Sequence, residues 1–430
     1  MLYQLSYTPV RFHRSKAGPT RNPPQLPTPP AGGCSSTRIP GSAAPASPAA
    51  APQTGTTPRS GRTPASGTSS PRPPCLPTSA AAPTGCARRY PPVITIDTPG
   101  GALQHPHPRT HRRLEPILRS MHSPRHLLSS ADLSAEETAY LLDLAAALKR
   151  RPQKVLVGRH LALLFEKASL RTRVSFEIAM DHLGAFTMYL DPREVGLGER
   201  EAIRDVSRVL ARYVDIVAVR TYGQSIIEEY ARFSSIPVIN ALTDEEHPCQ
   251  ALADLLTLRE HMGDLRGRSL AFVGDGNNVS TSLVITATAL GMDVRIASPP
   301  GYQLPEWAIS EASARAAASG GSFRHTTDPV EAVRGAEALY TDVWTSMGQE
   351  REAERRKIDF AAYQLNAALV AHAKPGAFIM HDLPAHRGEE ITDDVFESPH
   401  AIIFDQAENR VWAQAAVVAF LLGADRSIER

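Results

Sequence analysis

From Leu133 onward the chain alternates short, nearly continuous apolar runs with longer amphipathic stretches. The apolar runs are Leu161–Phe165, Val214–Val219, Val238–Leu242, Leu270–Val273, Val294–Ala297, Ala338–Tyr340, Ala377–Met380 and Ala401–Phe404. Short uninterrupted apolarity is what strands buried on both faces need, and the stretches between them are long enough for crossover helices. The first such helix carries its own signals. Ser134 and Glu137 form a capping box, Leu141, Leu144, Ala145 and Leu148 share one face, and Lys149, Arg150 and Arg151 complement the C-terminal end. Further helices are expected over Thr172–Leu183, stopped by Gly184, and over Gln250–His261. The expected fold class is α/β, with parallel sheets flanked by helices. The runs outnumber the strands of one small sheet. A boundary near Gly263–Gly267 divides them into two similar domains.

Polar side chains able to do chemistry gather just after the strand ends. Glu166, Ser169 and Arg171 follow the first run, Arg220 follows the second, and His247 and Gln250 follow the third. Asp275 and Asn278 follow the fourth, Asp342 and Ser346 the sixth, and His381 and Asp382 the seventh. Open α/β sheets bind ligands outside the carboxyl ends of their strands. The expected site is therefore a cleft between the two domains.

The chain before Met121 is different. Most of the 36 prolines lie there, among Ser, Thr, Ala, Gly and Arg, and its only acidic residues are Asp97 and Glu115. Such a segment has too little apolar surface to offset its ordering entropy, so residues 1–120 are expected to be a disordered extension. Its composition fits either translated sequence upstream of a start at Met121 or an organellar transit peptide. The overall charge is nearly balanced, with 46 basic and 45 acidic residues, which gives no reason to expect a nucleic-acid partner. No apolar run approaches the length of a membrane span. Of four cysteines, Cys34, Cys75 and Cys86 fall in the extension and Cys249 alone in the folded part, which excludes a disulfide scaffold. No secretory signal is read at the N-terminus, and the expected compartment is the cytoplasm, or an organelle if the extension is a transit peptide.

Single motifs are ambiguous. In Ser169-Leu170-Arg171-Thr172-Arg173 a strand ends and a helix opens at about Thr172. Its N-terminal N–H groups and Arg171 make a phosphate cradle, or simply a capped surface helix. Arg220 is a ligand-binding or an ordinary strand-end cation. His247 before Pro248 suits a helix start as well as a site. Gly274-Asp275-Gly276 lacks the rest of a dinucleotide turn, since Val279 holds the third glycine position. His247 and Cys249 lack a second ligand pair for zinc.

Taken together and in order, these stretches resemble the aspartate/ornithine carbamoyltransferase family. The match is carried by Ser169–Arg173 with Val174-Ser175-Phe176-Glu177, Arg220-Thr221-Tyr222 and His247-Pro248-Cys249-Gln250. It continues with Gly274–Asn278, Asp342–Gly348, His381–Gly388 and Glu408-Asn409-Arg410, and covers roughly residues 121–426. The resemblance implies carbamoyl phosphate and L-ornithine as substrates, L-citrulline and phosphate as products, and a place in arginine biosynthesis. It implies no metal and no organic cofactor, and a homotrimer. Residues 121–262 would form the carbamoyl-phosphate-binding domain, with a C-terminal helix over 408–428 packed back on it, and residues 263–407 the ornithine-binding domain. Ser169, Leu170 (backbone), Arg171, Thr172 and Arg220 would hold the phosphate. Arg220 and His247 would meet the carbonyl oxygen, with Arg410 nearby. Gln250 and the backbone at Leu383 would hold the carbamoyl NH₂. Asn278 would meet the α-carboxylate, Asp342 and Ser346 the α-ammonium, and Met347 the aliphatic chain.

Three positions depart from the family pattern. Leu170 replaces a threonine and keeps only its N–H. Gly196 stands where many relatives carry glutamine, with Arg200 as the available substitute. Asp382 replaces the cysteine of the ornithine branch. It either holds the incoming δ-ammonium, takes its proton, or keeps the amine protonated and slows attack. The rival readings are a carbamoyltransferase for putrescine or aspartate, and a non-catalytic binder that lost turnover through Asp382. Asn278 and Ser346 would be superfluous for putrescine, which has no α-carboxylate.

Overall fold

The computed structural model describes residues 124–429, so expectations for residues 1–120 lie outside the described residues. Among the described residues the first α-helix is α1 (Ala135–Arg150), whose Ser134–Glu137 capping box forms as expected. A first sheet follows, made of β1 (His160–Phe165), β2 (Phe186–Leu190), β3 (Ile216–Arg220) and β4 (Val238–Leu242). All its pairings are parallel, in the order β2-β1-β3-β4. Its crossovers are α2 (Leu170–Leu183), α3 (Ile203–Leu210) and α4 (Gln224–Phe233). Helix α5 (Pro248–Met262) then leads to a second parallel sheet of β5 (Ser269–Val273), β6 (Asp293–Ala297), β7 (Ser322–Thr326), β8 (Ala338–Tyr340) and β9 (Phe378–Met380), ordered β7-β6-β5-β8-β9. Helices α6 (Asn278–Ala289), α7 (Glu306–Ser319) and α8 (Ala353–Asp359) belong to this half. The last long helix, α9 (Ile403–Leu421), returns to pack on α1, α2 and α5.

The strand order explains the site's position. In the first sheet the chain steps outward from β1 to β2 and then crosses back to β3. In the second it runs from β5 through β6 to β7 and then crosses back to β8. At each reversal the neighbouring connections leave on opposite faces and open a crevice at the strand ends. Inner strands β1, β3 and β5 are buried almost throughout.

The structure corrects several local expectations. Strands β2 and β7 were absent from the sequence reading. Both are edge strands with exposed positions, so their apolar signal is diluted. The run Ala401–Phe404 is not a strand: Ala401 makes only an isolated bridge to Ile379, and helix α9 begins at Ile403. Arg410 therefore sits inside α9, and Glu408 does not open it. Helix α2 starts at Leu170, two residues before Thr172, with Ser169 as its N-cap.

Candidate active site

A cleft of about 1050 Å³ lies between the ends of the two sheets. On one wall, β1 ends and α2 begins. Ser169 Oγ accepts the Thr172 N–H at 3.2 Å, which leaves the N–H groups of Leu170 and Arg171 without a helical partner. These donors sit at the positive end of the α2 dipole. The Leu170 side chain is 76 % exposed, so only its backbone serves the cradle.

Two buried arginines back this helix terminus. Arg410 on α9 donates to Thr172 Oγ1 at 2.6 Å and to Gln250 Oε1. Arg220 at the end of β3 approaches Met347 Sδ at 4.0 Å. The Nε atoms of both arginines are sealed from solvent with no hydrogen-bond partner. Burial lowers the Arg220 guanidinium to about 10, with a further push from the charge of Arg410. Unpaired buried cations are costly unless an anion completes them. His247 caps α5, and its N–H donates to Ser282 Oγ at 2.8 Å. Burial, then Arg410 and Arg220, hold its imidazole well below the usual value, so it is neutral at pH 7. Its Nδ1 has no partner.

The opposite wall is acidic. Asp342 follows β8 and accepts from Asn277 Nδ2 at 2.7 Å and from the Val343 N–H at 2.6 Å. Asp382 and Leu383 follow β9, and both line the cleft. Leu383 is in the left-handed region at φ 64°, uncommon for a branched side chain. Its N–H donates to His381 Nδ1 at 2.9 Å. Ser346 lines the cleft with its N–H held by Gln349 Oε1 at 3.1 Å, and Met347 reaches toward Arg220.

Most of the sequence-derived residues are thus brought together. Glu166 and His381 do not line the cleft: Glu166 accepts from Thr221 Oγ1, and His381 is buried between Leu383 and Glu390. Among the residues given a role by the resemblance, Gln250 is the exception. It does not line the cleft, because its carbonyl accepts from Arg410 and its NH₂ donates to Asp254 Oδ1 at 2.7 Å. The Asn278 amide donates to the Thr243 carbonyl at 2.6 Å, across to the loop after β4. The stretch from Gly196 to Arg200 contributes nothing to the lining.

Several functional groups escaped the sequence reading. Asn277 both caps α6 and grips Asp342. Lys167 is buried in the cleft wall, pairs with Asp244 and lies over the Tyr222 ring. Asp254 accepts from Gln250, Gln406 and Tyr340, and Gln406 accepts the His381 N–H at 3.0 Å. Burial pushes Asp254 up to about 7. Arg356, also missed, forms a buried ion pair at 2.6 Å with Asp275, which the sequence reading did single out, and donates to the Trp344 carbonyl, anchoring the loop that carries Ser346. Lys167 lies in the same strand-end segment as Ser169, a usable signal. The other partners are far apart in sequence and left none.

Two carboxylate–histidine groups are close enough to invite a metal: Asp342–His381–Asp382 and His386–Glu389–Glu390. In the first, both nitrogens of His381 are engaged, with Leu383 N–H and Glu390. In the second, Glu389 pairs with Lys357 and Glu390 with His381. In the first group the imidazole is already spent, and in the second both carboxylates are already paired.

Fold and site define a two-lobed α/β enzyme that brings an anionic group on one wall toward a cationic group on the other. Family models agree. The carbamoyl-P binding domain of aspartate/ornithine carbamoyltransferase matches residues 125–260, and the Asp/Orn binding domain matches residues 266–421. The chain belongs to the aspartate/ornithine carbamoyltransferase family. It is 50 % identical over 304 residues to the anabolic ornithine carbamoyltransferase of Pyrococcus furiosus, covering 70 % of this chain and 96 % of that one. It is 52 % identical over 302 residues to an ornithine carbamoyltransferase of Parasynechococcus marenigrum, covering 70 % and 95 %. The solved structure of ornithine carbamoyltransferase from Pyrococcus furiosus superimposes with a TM-score of 0.68 at 49 % identity, over 70 % of this chain and 98 % of that one.

Proposed function

We propose that this chain transfers the carbamoyl group of carbamoyl phosphate to the δ-amino group of L-ornithine, giving L-citrulline and phosphate in arginine biosynthesis. The observation that carries this reading is the polarity of the cleft. Buried, incompletely partnered arginines and a helix N-terminus face a wall of carboxylates. Carbamoyl phosphate supplies the anion and ornithine the cations. The anabolic name of the Pyrococcus furiosus relative supports the biosynthetic direction.

In this reading Ser169, the N–H groups of Leu170 and Arg171, the Arg171 guanidinium, Thr172 and Arg220 hold the phosphate. His247, neutral and with an idle ring nitrogen, faces the carbamoyl group with Arg220. Arg220 and Arg410 stabilise the charge that grows on the carbonyl oxygen. Gln250 acts from behind by orienting Arg410. The Leu383 carbonyl accepts from the carbamoyl NH₂. Asp342 and Ser346 take the α-ammonium, Asn278 the α-carboxylate, and Met347 covers the aliphatic chain. Orientation and fixed charges supply the rate, and no metal or organic cofactor takes part.

The proposed assembly is a homotrimer. Leu170, Val174 and Ile178 present an exposed apolar stripe on α2, beside exposed Phe186 and Met188 on edge strand β2. A second copy of the chain is the occupant proposed for that face. The proposed compartment is the cytoplasm, or an organelle if residues 1–120 act as a transit peptide. No described helix is long and apolar enough to cross a membrane. The test is citrulline formation by the full chain, with putrescine and aspartate as competing acceptors. The reading expects turnover with ornithine and strong discrimination against both. Equal or better use of putrescine would overturn the substrate assignment.

A further inference from the structure

His247 brings an imidazole to the cleft, yet its Nδ1 has no hydrogen-bond partner among the described residues. The main chain carries the task of placing the ring. Pro248 comes next and restricts the backbone of the residue before it. The His247 carbonyl accepts the N–H groups of Gln250 and Ala251 in the first turn of α5. The His247 N–H reaches across to α6 of the second lobe and donates to Ser282 Oγ at 2.8 Å.

A hydroxyl inside a helix can turn back onto the carbonyl one turn earlier. Thr286 and Thr288 on α6 do so, toward the carbonyls of Ser282 and Val284. Ser282 instead donates to Glu246 Oε2 at 2.9 Å. Glu246 directly precedes His247 and is buried. Its Oε2 also accepts the Ser130 N–H at 2.8 Å, and its Oε1 accepts the Ser129 hydroxyl. With two donors, Oε2 has no room for a proton of its own. The Ser282 hydrogen is therefore drawn to Glu246, and a lone pair of the same oxygen is left facing the His247 N–H. The loop is gripped a second time from the same helix. Asn278, one turn before Ser282, donates to the Thr243 carbonyl, and Thr243 in turn donates its N–H to the Glu246 carbonyl at 2.9 Å.

The structure assigns Glu246 and Ser282 as positioning residues for His247. Neither lines the cleft, so both act through the His247 main chain. Glu246 aims the Ser282 hydroxyl, Ser282 holds the His247 N–H, and the imidazole stays where the carbonyl oxygen gathers charge. This rests on the carbamoyl-transfer reading above. A reacting group displaced by about 1 Å can cost about 10²-fold in rate, so a clasp outside the cleft has leverage on turnover.

The test uses the full chain with Ser282→Ala, Glu246→Leu and Glu246→Gln, each alone and combined with His247→Asn. Rates are counted per active site, titrated with a bisubstrate phosphonate. Ser282→Ala and Glu246→Leu should each lower kcat by about tenfold or more. Glu246→Gln should stay within about threefold of native, because its amide oxygen can take both Oε2 donors while its NH₂ faces the Ser129 oxygen. The inhibition constant of inorganic phosphate should move by less than about twofold in all three, since the N-terminus of α2 is built without this loop. In the His247→Asn background the same changes should cost less than about twofold, because the group they position is gone. The cycle is read also in the Kd of the phosphonate, whose carbonyl stands in for that of the carbamoyl group, so it stays measurable where turnover is slow. Should Glu246→Leu fail to fold, Ser282→Ala carries the comparison. Equal losses with and without His247 would show a merely structural role and overturn the assignment, as would a Ser282→Ala enzyme within about twofold of native kcat. A native chain that makes no citrulline would instead overturn the carbamoyl-transfer reading, and this assignment with it.

Discussion

The two walls of the cleft are built in opposite ways. The cationic wall rests on regular structure. Ser169 caps α2, Arg220 is the last residue of β3, and Arg410 lies inside α9, tied to Thr172 and Gln250. The acidic wall hangs on loops. Asp342 and Met347 follow the short strand β8, and Met347 is 50 % exposed. Asp382 and Leu383 follow β9. Phosphate is a compact anion common to every turnover, and a rigid cradle suits it. An amino acid with a long side chain needs a wall that closes after it enters, and loops allow that.

The largest effect should come from breaking the rigid wall. Arg220→Ala removes a cation aimed at the charge that develops on the carbonyl oxygen, and should lower kcat/KM for carbamoyl phosphate by about 10³-fold in steady-state assays. Asp342→Asn strikes the acidic wall. It should lower kcat/KM for ornithine by about 10²-fold and leave the inhibition constant of inorganic phosphate within about twofold. A matched change in both would mean that the walls do not act separately. Met347→Ala trims the loop's reach toward Arg220, and should raise KM for ornithine by only about threefold.

The smallest effect concerns the tie behind both walls. Asp254 is raised to about 7 by burial, above the ~3.9 of an exposed aspartate. A raised acid contributes stability fully below the unfolded value and loses it as pH rises through about 7. The melting temperature should therefore decline between about pH 5 and 8, and Asp254→Asn should flatten that decline. A native profile that rises over this range would contradict the buried, largely neutral state of Asp254.

Legibility in the sequence followed the same division. Inner strands such as β1 and β5 were readable because burial on both faces demands unbroken apolarity. Edge strands β2 and β7 hid because half of their environment is solvent. The run Ala401–Phe404 misled because a few apolar residues fit a strand or the first turn of a buried helix equally well, and it enters α9. The cleft residues showed themselves by standing after strand ends. Their supports did not. Asn277 meets Asp342 across 65 positions, and Gln406 meets Asp254 across 152, contacts that no local pattern encodes.

The most direct test of this division of labour is a crystal structure of the full chain with a bisubstrate analogue that joins a phosphonate to the δ-nitrogen of ornithine. The account predicts the phosphonate on the α2 N-terminus with Arg171 and Arg220, and the amino-acid end against Asp342 and Ser346. A phosphonate seated on the second lobe, or an amino-acid end with no contact to Asp342, would contradict it.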